Sequence, residues 1–177
     1  MKLFSTRTFA HLSILSFLII AYACKKEVLD LTVPTPETTV QITDAELFEL
    51  IESNNGYTYF EEGNTIKGVP PSPHGDFKLR FNSEAASVLN AEGIAPAGTV
   101  FPENSIIVKE ILSGGSIALY AVMQKQPADV NTASGWIWGE YEADGKVLYG
   151  VDTKGSSCTG CHSENPNRDL TRVFDLH

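Results

Sequence analysis

Cys158, Cys161 and His162, in the run Cys158-Thr159-Gly160-Cys161-His162, are the residues whose types and spacing point most directly to chemistry. Two thiols separated by two residues can each add across a haem vinyl group, and the imidazole that follows is placed to ligate the iron. That is the attachment pattern of a c-type haem. A zinc site or a redox dithiol would also use Cys-x-x-Cys. Zinc would need two more ligands, and the third cysteine, Cys24, lies far upstream among small residues.

The position of the motif bears on its use. Small electron-transfer cytochromes carry it near the N-terminus and take a downstream Met as sixth ligand. Here fifteen residues follow His162 and none is Met; Met123 lies upstream in a strand-like run. The sequence therefore predicts one haem, covalently held by Cys158 and Cys161, ligated by His162 and open at the sixth position.

The N-terminus reads as an export signal. Lys2 and Arg7 precede an apolar run, His11 to Ala21, that is too short to span a bilayer and leads to Ala23-Cys24. Cys24 after a small residue resembles the lipobox of bacterial lipoproteins, whose Cys is acylated; an ordinary signal peptide with a nearby free thiol is the other reading. The resulting organisation is a signal over 1–23, a Pro- and Thr-containing tether over 24–42, and one domain over 43–177. Cleavage before Cys24 leaves 154 residues (177 minus 23) and a formal charge of -11 (11 minus 22). So acidic a surface argues against nucleic acid and suits a basic redox partner.

The elements that must position the motif are mostly strands. Asp44 to Ile51, after Thr43 or Asp44 as cap, has apolar residues at helical spacing, and a second helix is predicted from Ser83 as N-cap to about Asn90. Strands are predicted over 57–60, 77–81, 106–112, 117–125, 135–142 and 146–152, with Gly114-Gly115 and Asp144-Gly145 as turns. The run 117–123 is apolar on both faces and should lie centrally. The fold class is α+β, mainly β: an antiparallel sheet with a few short helices and a C-terminal haem-attachment segment.

Residues 74–82, 101–110, 136–145 and 158–162, with Arg168-Asp169 after, together resemble the cytochrome P-460 family, which includes the cytochromes c-prime-beta. The resemblance implies a dimeric, mainly antiparallel β domain with one five-coordinate c-haem. In the P-460 branch a lysine is also bonded to the porphyrin, and hydroxylamine is oxidised to nitric or nitrous oxide. In the c-prime-beta branch that bond is absent, phenylalanines cap the distal face, and nitric oxide is bound. The resemblance further implies that Lys109 is the cross-linking lysine, with Lys78 next.

Strand alternation puts Lys109 on one face with Ile107 and Ile111, and Glu110 on the other; a charged edge-strand Lys is the competing reading. Glu140 shares a face with Trp136 and Trp138, where burial would raise its pKa toward a useful base, unless it is simply a solvated cross-strand Glu. Arg80 is a candidate partner for a bound nitrogen oxide or a haem propionate. Phe77, Phe81 and Phe101 are candidate distal caps, or plain core. His74, in a Pro-rich loop, is a candidate sixth ligand or a turn residue, and a plain electron carrier would need His74 or Met123 on the iron. His177 is expected to be disordered.

Overall fold

The structure, a computed structural model, describes residues 41–70, 72–164 and 168–176. The expected signal, most of the tether with Cys24, and His177 lie outside these residues. Six strands form one antiparallel meander, in which each pairs with the next in sequence: β1 (Thr58–Tyr59), β2 (Phe77–Phe81), β3 (Ile106–Ser113), β4 (Ser116–Lys125), β5 (Trp136–Glu142) and β6 (Val147–Tyr149). The fold is thus mainly β with short helices, as the patterning implies. β3 and β4, the two most apolar strands, are central and are joined by the two-residue turn Gly114-Gly115. Among the described residues no helix is long and apolar enough to cross a membrane.

Because side chains alternate along a strand, in-register pairing sorts the sheet into two faces. The back face carries Ile106, Val108, Tyr120, Val122, Ile137 and Tyr141, and buries Leu47 and Ile51 of helix α1 (Asp44–Ile51). α1 starts with a capping box: Thr43 Oγ1 accepts the Glu46 N–H at 3.3 Å, and Glu46 Oε2 accepts the Thr43 N–H at 2.8 Å. Ile42, one residue before the expected domain start, is already tied to the fold, its N–H donating to the Asp129 carboxylate at 2.6 Å.

The front face carries Phe77, Leu79, Phe81, Ile107, Met123, Trp136 and Trp138, and is covered by Phe101, Leu170 and Val173. The second predicted helix is shorter than its pattern. α2 spans Ser83–Ala86 and is capped by Asn82, not Ser83: Asn82 Oδ1 accepts from the Ala85 N–H at 3.0 Å and also from the Ile106 N–H at 2.8 Å. The chain then turns so that Val88 and Leu89 pack on the front core, which ends the helix. The last strand is also trimmed, to Val147–Tyr149, because the chain breaks into a turn at Val151–Thr153.

Candidate haem site

The Cys-x-x-Cys-His run forms one helical turn, α3 (Thr159–His162), with Cys158 at its N-cap. Positions i, i+3 and i+4 of a helix share one side, so this spacing directs both thiols and the imidazole together. They line one cavity of about 350 Å³ over the front face, within the usual range for cofactor sites. Neither thiol is in a disulfide. Burial, then the Glu140 charge, pushes the Cys158 thiol up. The approach to α3 is tight: a Cβ on Gly155 would lie 2.5 Å from Trp138 Cδ1, so at this point the backbone rests directly on the indole.

The imidazole of His162 is fixed on two sides. Its ring stands edge-on to Trp138, with centroids 4.9 Å apart, and Nδ1 lies 2.8 Å from the Leu170 carbonyl oxygen. A carbonyl only accepts, so Nδ1 carries the proton and Nε2 keeps the lone pair a metal needs. Burial lowers the His162 pKa, which keeps that lone pair free.

The Leu170 carbonyl is itself held by unusual backbone. Asp169 and Leu170 both have positive φ, +50° and +69°, a conformation that disfavours a side chain like Leu by about 1–2 kcal/mol. The Asp169 carboxylate holds the pair in place by accepting Lys125 Nζ at 2.8 Å and the Phe101 N–H at 3.0 Å. Next along the chain, Arg172 Nη1 donates to the Cys161 carbonyl at 2.7 Å and lies 2.9 Å from Cys161 Sγ.

Three ionisable groups complete the cavity wall. Lys109 lies between Ile107 and Ile111, as alternation predicts, with Nζ 4.3 Å from the centroid of the Phe77 ring and no ion pair among the described residues. Burial lowers its pKa to about 8, against a smaller opposing effect of Cys161. Glu140, on the Trp138 face, is pushed up by burial. His74 is lowered to about 4 by burial, then by Lys109 and His162, and is therefore neutral.

Other expected site residues lie elsewhere. Arg80 sits on the back face, across the sheet from the cavity. Its Nε donates to Glu110 at 2.7 Å and its Nη atoms donate to the carbonyls of Ile51 and Ser53, so it is placed to reach neither a bound nitrogen oxide nor a propionate. Lys78 alternates onto that same back face, opposite Glu110. Phe77, Phe81 and Phe101 are fully buried in the front core and are not among the cavity-lining residues: Phe101 packs edge-on to Trp136 and Phe81 stacks on Phe174.

Sequence reasoning missed Asp169, Leu170, Thr171 and Arg172 as site residues. The opposite charges of Arg80 on β2 and Glu110 on β3 were the one available sign that Arg80 had a partner of its own.

The donor set fits a haem. Two free thiols, an imidazole with an exposed lone pair and apolar walls match its edge, iron and faces. Thr171 Oγ1 and Arg172 Nε are buried without a partner among the described residues, and both residues line the cavity, where a propionate carboxylate would satisfy them. Among the described residues no three His, Cys, Asp or Glu side chains are grouped to hold a metal ion by themselves.

A β-meander with a Cys-x-x-Cys-His turn laid over one face defines a c-type haem protein distinct from the helical cytochromes. The family model for cytochrome P460 matches residues 78–174, more than half of the chain. The chain belongs to the cytochrome P460 family and is a c-type haem protein of that family. No match is found among curated proteins.

Proposed function

We propose that this protein carries a single haem, bound by thioethers from Cys158 and Cys161 and ligated by His162 Nε2, and that it oxidises hydroxylamine to nitric or nitrous oxide. The observation that carries this reading is Lys109: an amine on the cavity wall, without an ion pair, with its pKa lowered to about 8. Near neutral pH about a tenth of such an amine is unprotonated, roughly 300 times the share of an ordinary lysine, and this nucleophilic form could replace a hydrogen on a porphyrin carbon, with two protons released and two electrons passed to the redox partner.

When bound, the haem supplies an open coordination position and a route out for electrons. The residues of the chain do the rest. His162 is held in one tautomer by the Leu170 carbonyl, Lys109 would add a covalent hold on the haem, and Ile107, Ile111, Leu119 and Met123 would exclude water. Glu140, its pKa raised by burial, accepts the protons that hydroxylamine releases with its electrons. In this reading the chain is exported, acylated at Cys24 and anchored at the bacterial periplasmic or outer membrane. There it works as a homodimer and passes electrons to a partner cytochrome.

The test is the absorption spectrum of the ferrous protein beside that of Lys109→Ala. The expected result is a Soret band well to the red of ordinary c-haem in the parent, lost in the variant while haem content is kept. An ordinary high-spin c-haem spectrum in the parent would sink the hydroxylamine reading. The second reading, nitric oxide binding without oxidation, would then stand on the apolar wall of Leu79, Ile107, Ile111 and Met123.

A further inference from the structure

The connection between Ile66 and Phe77 is built as a frame, and it delivers a second imidazole to the cavity. Its neck is closed by a two-way backbone bridge, with the Ile66 N–H donating to the Phe77 carbonyl at 2.8 Å and the Phe77 N–H to the Ile66 carbonyl at 3.0 Å. One step further in, Lys67 pairs with Asp76 at 2.6 Å. Inside that, the strands of the loop touch. A Cβ on Gly68 would stand 2.6 Å from both the His74 and the Gly75 carbonyl oxygens, so only glycine permits this crossing. The Ser72 hydroxyl bridges to the His74 backbone, accepting its N–H at 3.3 Å.

What the frame holds is unusual. The His74 ring lines the cavity with Lys109, Glu140 and His162, yet makes no hydrogen bond among the described residues. The residue is partly buried, and a neutral imidazole facing the cavity offers one N–H to donate and one lone pair to accept. His162 is committed to Leu170 and Trp138, whereas His74 is committed to nothing.

We infer that His74 is the residue that hydrogen-bonds the small molecule bound in this cavity, with the Gly68 crossing as the device that aims it. A ligand with both donor and acceptor character, such as a nitrogen hydride or oxide, matches a neutral imidazole better than it matches the aliphatic walls. Discrimination between ligands of one size then comes from the loop, and the sheet supplies only shape. The inference rests on the haem reading above.

The test uses the purified haem protein and its variants His74→Leu, His74→Gln and Gly68→Ala, with cyanide as probe. Dissociation of cyanide from the ferric form is followed by stopped-flow absorption. Loss of one hydrogen bond predicts dissociation about tenfold faster in His74→Leu. His74→Gln, which keeps a donor, should recover most of it, and Gly68→Ala should fall between the two.

Acceleration below about threefold in His74→Leu overturns the inference. So does a low-spin ferric parent that turns high-spin in His74→Leu, because His74 would then be an iron ligand. A purified protein without covalent haem would instead overturn the haem reading and this inference together, an outcome visible before any ligand is added.

Discussion

Arg80, fully buried, and Lys109, partly buried, are cations on neighbouring strands of one sheet, and they face opposite ways. Arg80 points to the back, where Glu110 neutralises it, two backbone carbonyls accept one N–H from each of its Nη atoms, and Tyr57 stacks 4.3 Å from its Cζ. Lys109 points to the front, with an aromatic face below it and no carboxylate in reach among the described residues. The three nitrogens of the first all donate, one to Glu110 on β3 and two to the end of α1 and the residues just after it. The second is left with a depressed pKa and a cavity in front of it. A buried charge that is fully partnered is structure, and one held without a partner is reserved for something absent from the chain itself.

The comparison is sharpest where the two are broken. Arg80→Met leaves Glu110 buried and uncompensated, and should lower unfolding stability in guanidinium by about 3–5 kcal/mol. Lys109→Met removes an unpaired charge and should leave stability unchanged or raise it. Equal losses at both positions would erase the distinction.

A second difference appears with pH. With Lys109 at about 8 in the folded chain and 10.5 unfolded, the unfolded state holds a proton that the folded state has shed throughout that window. Stability therefore rises with pH from about 8 to 10.5, by up to about 3 kcal/mol. Measured on the Cys158→Ser, Cys161→Ser chain, where no porphyrin can occupy the amine, the rise should be absent once Lys109→Met is added. A rise that persisted would belong to another group.

The smallest expected effect concerns Glu140. Its carboxyl, raised above 4.5 by burial, is protonated at mildly acidic pH and then accepts nothing. Hydroxylamine oxidation should fall on the acid side with a limb above that value, and Glu140→Gln should be slow at every pH and lack the limb. A limb that survives in Glu140→Gln would move the base to another residue.

How much of this was legible depends on the period of the element concerned. In strands a residue's face follows from counting by two, so Lys109 beside Ile107 and Ile111, and Glu140 beside Trp138, were placed correctly without knowing strand order. The same count put Arg80 on the face opposite Phe77, Leu79 and Phe81. Its apparent use in ligand chemistry was weighed without that count, and Glu110 across the pair is the partner it had all along. For the phenylalanines both readings, cap and core, were open because alternation gives a side but not a depth; the core reading holds, and Phe101 reaches Trp136 from a loop with no period at all. Residues 168–172 gave no periodic signal, only the resemblance carried by Arg168-Asp169, because two residues with positive φ leave no helical or strand pattern to read.

That last segment carries a consequence for how such a centre is made. The imidazole of His162 takes its tautomer from a carbonyl eight residues later in the chain, held in turn by Lys125 and Phe101 from two other parts of the fold. The five-residue motif is portable, but its holder is not. Transplanted into a foreign turn it would bring thiols and a freely rotating ring, and an iron bound there would sample several ligand orientations and potentials. If His162 ligates the iron as proposed, a ligand field of defined strength is a property acquired on folding, delivered by Leu170 and the residues that hold it.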